Sequence, residues 1–404
     1  MRHSSIDVRM LAFGNRQDLD SELARVGVDE AAWDIFAQKS RSLAVKLAGL
    51  STATANILKQ TALVCGADCA VDRRVVSGRV RRSAAILFAT RRQLEEVCRR
   101  LKQQPECAAR LVSALEALMI RSEPPKLIVR VKGKEIDLAA RTYVMGILNV
   151  TPDSFYDGGR FNEPEKAVEH GVELAAEGAD FIDIGAESTR PGAGPVEPLE
   201  QLARLLPVVR RLVKRVRVPI SVDTASARVA AAALAEGAAL VNDVTALAGD
   251  TKMAPVVARA GVPCVVMHMR GRPRTMQRNP RYRDLMGEIV TYLAGAVERA
   301  VKAGIERSQV IVDPGIGFGK LLQHNLEILR RLRELKSLGL PVLVGPSRKS
   351  FIGQVLDLPA PERLEGTLAA CVVAARNGAN ILRVHDVRAV RRALRLAAAI
   401  DSGV

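Results

Sequence analysis

From residue 143 onward one unit recurs along the chain: a short apolar run, a polar or glycine-rich loop, then an Ala/Leu-rich stretch of helical period ending near a glycine. The apolar runs are VMGIL (144–148), FIDIG (181–185), PISVD (219–223), ALVND (239–243), PCVVMH (263–268), VIVD (310–313), PVLVG (341–345) and NILRVH (380–385). Runs that are apolar throughout fit strands buried on both faces, and each is followed by a helical stretch. Residues 143–404 therefore predict an α/β fold, a (β/α)8 TIM barrel, whose usual length is about 250 residues. A doubly wound parallel sheet is the alternative.

Ahead of the barrel, LIVRVKGKEIDL (127–138) alternates about Gly133 as a small hairpin would, after a linker at Glu123, Pro124 and Pro125. Residues 123–142 are thus expected to link the domains and close the barrel's bottom. Residues 1–122 form a separate small α/β domain of unassigned role. Helical patterns are read at DEAAWDIFAQKSRSLAVKLAG (29–49), TRRQLEEVCRRLKQQ (90–104) and ECAARLVSALEALM (106–119), and a strand at AAILFAT (84–90).

Composition narrows the function. With 48% apolar and 26% charged residues the 404-residue chain is globular. Its opening MRHSSIDVRM lacks the apolar segment of a signal peptide, and no long uncharged apolar run follows, so a soluble cytoplasmic protein without a membrane partner is expected. The net charge of +16 comes mainly from arginines scattered over helical faces, and aromatics make up 3%, too few for base-stacking platforms. No nucleic-acid partner is expected. Cys65, Cys69, Cys98 and Cys107 fall in the N-terminal domain without a CxxC pair or nearby histidine, so buried thiols are expected rather than zinc.

In a barrel, chemistry belongs where strands end. Those ends carry Asn149, Asp183, Asp223, Asn242 with Asp243, His268, Asp313, Ser347 with Lys349, and Arg383 with His385. One polar group per strand could be a local cap, but eight converging on one rim point to a site. The loop DPGIGFGK (313–320) has neither P-loop nor dinucleotide spacing. It reads instead as a strand-end carboxylate followed by a loop that lets a flat ligand approach the backbone. Buried Asp223 and Asp313 need donors, which an amino-bearing heteroaromatic ring supplies, while Asn242 both donates and accepts. The cations group separately, in SRKS (347–350) and RVHD (383–386), where barrels often bind phosphate. Arg383 and His385 alternate along one strand and are read as an anion site on one side. The residues alone thus indicate a flat hydrogen-bonding ring beside a phosphate-type anion, with neither a Ser/His/Asp triad nor a histidine cluster of metal-ligand spacing.

Eight motifs in order, GILNVTPDSFYDGG, DIGAESTRPGA, SVDT, VNDVTA, VMHMRG, DPGIGFGK, GPSRKSFIG and RVHDV, make residues 143–397 resemble the dihydropteroate synthases. These folate-pathway enzymes join 6-hydroxymethyl-7,8-dihydropterin pyrophosphate to p-aminobenzoate. The resemblance implies that Asp223, Asn242, Asp313 and Lys349 hold the pterin, with Asp183 and Met267 lining its pocket. It implies that Asn149, Thr189, Arg383 and His385 hold the pyrophosphate, Asn149 through Mg2+. Phe155 and Asp157 would close over the reacting carbon, and Arg190, Pro191, Phe318 and Ser350 would shape the p-aminobenzoate site. A homodimer is usual in the family. Two other readings compete: a pterin-dependent methyltransferase, which has no need of the SRKS and RVHD cations, and a non-catalytic pterin-binding scaffold, which would have no reason to keep Asn149, Lys349, Arg383 and His385.

Overall fold

The structure, a computed structural model, describes residues 9, 11, 15–40, 42–104, 108–122, 126–150, 163–187, 196–271, 276–277 and 279–402. Chain contacts divide it into two compact units, residues 1–120 with 399–404 and residues 121–398. The last residues of the chain thus group with the N-terminal unit, whereas sequence reading places them with the barrel.

The N-terminal unit is built on a three-stranded antiparallel sheet of β1 (Ser42–Ser51), β2 (Asp68–Val71) and β3 (Arg82–Thr90), with β3 in the centre. Residues 42–49, expected to continue a helix, are strand β1. Their Ala, Leu and Lys composition suits a helix, but SLAVKLAG also alternates, and tertiary pairing decides. Leu43, Val45 and Leu47 pair with Ala89, Leu87 and Ala85 of β3. This face buries against Leu58 of helix Thr52–Val64 and against Leu94, Val97 and Leu101 of helix Arg91–Leu101. Thr90 starts the second helix with a reciprocal cap, its hydroxyl accepting from Gln93 N while Gln93 accepts from Thr90 N. Cys69 and Cys98 are buried free thiols and Cys65 is half-buried, whereas Cys107 lies outside the described residues.

In the second unit a hairpin of β4 (Ile128–Val131) and β5 (Lys134–Asp137) precedes eight parallel strands. These are β6 (Tyr143–Asn149), β7 (Phe181–Gly185), β8 (Ile220–Asp223), β9 (Leu240–Asp243), β10 (Cys264–Met267), β11 (Val310–Asp313), β12 (Leu343–Val344) and β13 (Ile381–Val384). Each falls within two residues of the run predicted for it. Their order, β11-β10-β9-β8-β7-β6-β13-β12, closes where Val312 N donates to Pro341 O at 2.9 Å and Val312 bridges Val342. The ring is a (β/α)8 barrel, not a doubly wound sheet. No helix among the described residues is long and apolar enough to cross a membrane.

Alternation sorts every strand. Val144, Leu148, Ile182, Ile184, Val222, Val241, Val266, Val312 and Val384 face the helices. Met145, Phe181, Leu240, Val265, Ile311, Leu343 and Ile381 form an inner floor with Val129, Val131 and Leu138 of the hairpin segment. The hairpin is tied on by Gln309, which accepts from Arg130 N at 2.8 Å and donates to Arg130 O at 3.1 Å. Two residues above this floor, on the same strands, stand the polar Asp183, Asn242, Asp313 and Arg383, together with Met267 and Ile147. Because Phe181 is 1% exposed in the floor, Phe181→Ala is expected to lower unfolding free energy by about 3–5 kcal/mol in denaturant titration.

Candidate active site

Two residues above the apolar floor, the inner face of the ring carries Asp183, Asn242, Met267, Asp313 and Arg383, with Asp223 at the end of β8. At the centre stands Arg383. Its Nε donates to Asp183 Oδ2 at 2.6 Å and its Nη2 to Asp223 Oδ2 at 2.9 Å. Asn242 Nδ2 donates to the same Asp183 oxygen at 3.0 Å. This corrects the reading of a separate cation group. Arg383 reaches across the ring to β7 and β8, because two buried carboxylates need a compensating charge. His385, one residue past β13, instead places Nδ1 3.0 Å from Ser347 Oγ, and Ser347 Oγ accepts from His385 N. The two side chains therefore have different partners.

Burial pushes the Asp223 carboxyl up to about 7 against the opposing charge of Arg383. It also raises Asp313, which Lys349 and the Gly315 N–H, donating to Asp313 Oδ1 at 2.6 Å, partly offset. Lys349 is lowered to about 8 by burial, with Asp313 opposing. Its Nζ donates to Ile316 O and lies 4.6 Å from the centre of the Phe318 ring, a cation–π contact. A residue assigned to the pterin and one assigned to the aminobenzoate thus touch. Asp183 Oδ1 and Ser221 Oγ are buried without a hydrogen-bond partner, acceptor and donor capacity left open inside the barrel. Asp243 faces its own loop, accepting from Thr245 N, Thr245 Oγ1 and Leu247 N, and is a cap.

The glycine loop 313–320 has a different logic from the one its sequence gives. Gly315 and Gly319 have positive φ, and a Cβ on them would lie 2.0 Å from His268 O and 2.3 Å from Arg270 O. Close approach by the backbone after β10, more than by a ligand, requires glycine there.

Several positioning residues escaped sequence reasoning. Arg348, with φ of 54°, grips Asp386 through Nε at 2.9 Å and Nη2 at 2.5 Å, joining the loops after β12 and β13. Its N–H donates to buried Thr367 Oγ1. Gln201 of helix Pro198–Arg215 donates to Glu187 and to Val196 O, the two flanks of segment 188–195, and accepts from Thr224 beside Asp223. The charged letters of SRKS and RVHD were visible, but only the fold pairs Arg348 with Asp386. Asn149 is half-buried at the end of β6, and Ser350 is the exposed first residue of helix Ser350–Leu356. Phe155, Asp157, Thr189, Arg190 and Pro191 lie outside the described residues.

A pH test follows from Asp223. Its folded value of about 7 exceeds the usual carboxylate value near 4, so between them the unfolded chain binds fewer protons. Unfolding free energy should therefore fall as pH rises from about 4 to about 7, by roughly 2–4 kcal/mol, and Asp223→Asn should flatten that slope in denaturant titrations.

The sequence pattern of the family described as "Pterin binding enzyme" matches residues 145–385. The dihydropteroate synthase of Synechocystis sp. is 47% identical over 265 residues, covering 65% of this chain and 92% of that protein. The Escherichia coli enzyme is 45% identical, covering 66% and 93%. Among solved structures, the Yersinia pestis dihydropteroate synthase in a sulfonamide drug complex superposes with a TM-score of 0.65 at 45% identity, over 68% of this chain and 99% of that one. The Xanthomonas albilineans dihydropteroate synthase with 4-aminobenzoic acid gives 0.65 at 44% identity, over 69% and 99%. With the family's pattern spanning more than half of its length and relatives of this identity matched almost end to end, the chain belongs to the pterin-binding enzymes, in the dihydropteroate synthase family.

Proposed function

We propose that this protein is a cytoplasmic dihydropteroate synthase, a transferase of folate biosynthesis that joins 6-hydroxymethyl-7,8-dihydropterin pyrophosphate to p-aminobenzoate and releases 7,8-dihydropteroate and pyrophosphate. The observation that carries this reading is Arg383, held by Asp183 and Asp223 amid carboxylates suited to a ring with N–H donors.

Asp223, Asp313 and Asn242 accept from the pterin's amino and ring N–H groups, and Lys349 donates to its acceptors, while Asp183 and Met267 wall the pocket. Arg383, His385, Asn149 and Thr189 take the pyrophosphate, a role that needs fixed charge more than a general base. Phe318, Ser350, Arg190 and Pro191 form the aminobenzoate site, and Phe155 and Asp157 stand near the reacting carbon, where excluding water protects it from capture. The C–O bond of the exocyclic methylene breaks ahead of attack, because the pterin ring stabilises the cation left there. The neutral arylamine nitrogen then forms the C–N bond and loses a proton.

Among the described residues no group of three or more His, Cys, Asp or Glu could hold a metal ion. One amide oxygen, at Asn149, is a poor site by itself but fits Mg2+, which is commonly held by few protein ligands plus substrate phosphates. Bound there, Mg2+ would supply charge neutralisation to the pyrophosphate.

Incubating the protein with both substrates and Mg2+ should give dihydropteroate and pyrophosphate, and Lys349→Ala should lower kcat/KM by about 10²–10³-fold. No product from the wild-type protein would sink the reading.

We also propose a homodimer. Helices Leu322–Arg330, Ser350–Leu356 and Leu364–Arg376 pack together, and each exposes large apolar side chains, Leu326, Val355 with Leu356, and Val373, the residue type that a subunit interface covers. Val355→Glu should convert a dimer to a monomer in light scattering, and an unchanged mass would count against this surface.

A further inference from the structure

The catalytic scheme leaves one buried cationic side chain unused. Lys320, the last residue of DPGIGFGK, is 3% exposed. Its Nζ lies 2.9 Å from Phe318 O, 3.2 Å from His268 O and 3.0 Å from His268 Nδ1. We propose that Lys320 is a positioning residue of the synthase reaction: it staples the loop after β11 to the exit of β10, and so fixes Phe318 for the aminobenzoate. The role rests on the synthase reading.

The bonding is complete in either charge state. An ammonium offers three donors to three acceptors, with His268 carrying its proton on Nε2. An amine donates to the two carbonyls and accepts from His268 in the other tautomer, with Nδ1 protonated. Either way the imidazole is locked in one form. Burial and the neighbouring Lys320 hold it to about 3, so it stays neutral near physiological pH. Tyr292 meets the ring edge-on at 4.9 Å and Tyr282 lies 6.1 Å away.

The rest of the loop is held the same way. Gly317 O accepts from Gln277 Nε2 at 2.5 Å, Gly319 O from Tyr282 OH at 2.8 Å, and Ile316 O from Lys349. Each carbonyl from 316 to 319 therefore has its own side-chain donor, and Lys320 is the donor to Phe318. Releasing that carbonyl loosens the residue whose ring lies beside Lys349, whereas Asp313 keeps Lys349 and Arg383 as its other cations. The loss should fall on aminobenzoate more than on pterin.

The test compares the full-length wild type with Lys320→Met, His268→Asn and His268→Phe, using steady-state kinetics and 15N-histidine NMR. Lys320→Met is expected to raise the aminobenzoate KM about tenfold and the pterin pyrophosphate KM by no more than about twofold. His268→Asn, whose amide can offer oxygen or N–H where Nδ1 stood, should stay within about twofold of wild type in both, and His268→Phe should behave like Lys320→Met. In the wild type His268 should show one tautomer and no titration between about pH 5 and about pH 8, with tautomers mixing in Lys320→Met. An unchanged aminobenzoate KM in Lys320→Met overturns the proposal, as does an equal rise in both KM values, the mark of a merely structural role. Titration of wild-type His268 between about pH 5 and about pH 8 also overturns it. If Lys320→Met does not fold, equal aminobenzoate KM values in the two His268 variants are decisive against it. A wild type that forms no dihydropteroate defeats the synthase reading instead, and the tautomer measurement remains as a separate readout of the staple.

Discussion

The organising constraint of the barrel is that its inner face must hold carboxylates in a desolvated space before any ligand arrives. An ionised carboxylate removed from water is costly unless a charge and donors accompany it. Arg383 meets that requirement for Asp183 and Asp223 together, from the strand next to β6 in the ring. The compensation is incomplete by design of the geometry. Asp223 still lies near 7, and Asp183 retains a buried oxygen with no partner. In the proposed reaction a ring carrying N–H donors would complete what the protein alone leaves open, so that recognition and charge compensation would be one arrangement.

The same economy governs the loops at the rim. Glycines at 315 and 319 let two loop backbones touch, and side chains from neighbouring elements occupy successive carbonyls of the loop. Arg348 and Asp386 join the next pair of loops, and Ser347 orients His385. Groups that touch substrate in the proposed reaction are therefore backed by fixed partners, the condition under which electrostatic stabilisation needs no reorganisation during the reaction.

The N-terminal unit follows a separate plan. It has its own sheet and core, with Val45, Leu87 and Leu94 buried, while Ile86 and Phe88 on the other side of β3 are partly exposed. Alternation in β1 was present in SLAVKLAG but competed with a helix-forming composition. Local preference left the choice open, and the partners Ala85, Leu87 and Ala89 settled it.

By itself the sequence determined the barrel, because eight apolar runs separated by helical stretches admit few closed arrangements, and it determined which residues stand at the strand ends. It also carried the family, through eight motifs in order. Tertiary structure decided the pairings. That Arg383 serves Asp183 and Asp223 rather than standing beside His385, that Arg348 meets Asp386, and that Lys320 reaches back to His268 are contacts between residues up to 200 positions apart. A periodicity of two tells which way a side chain points, but only the curvature and closure of the ring bring one inward-pointing charge within reach of another.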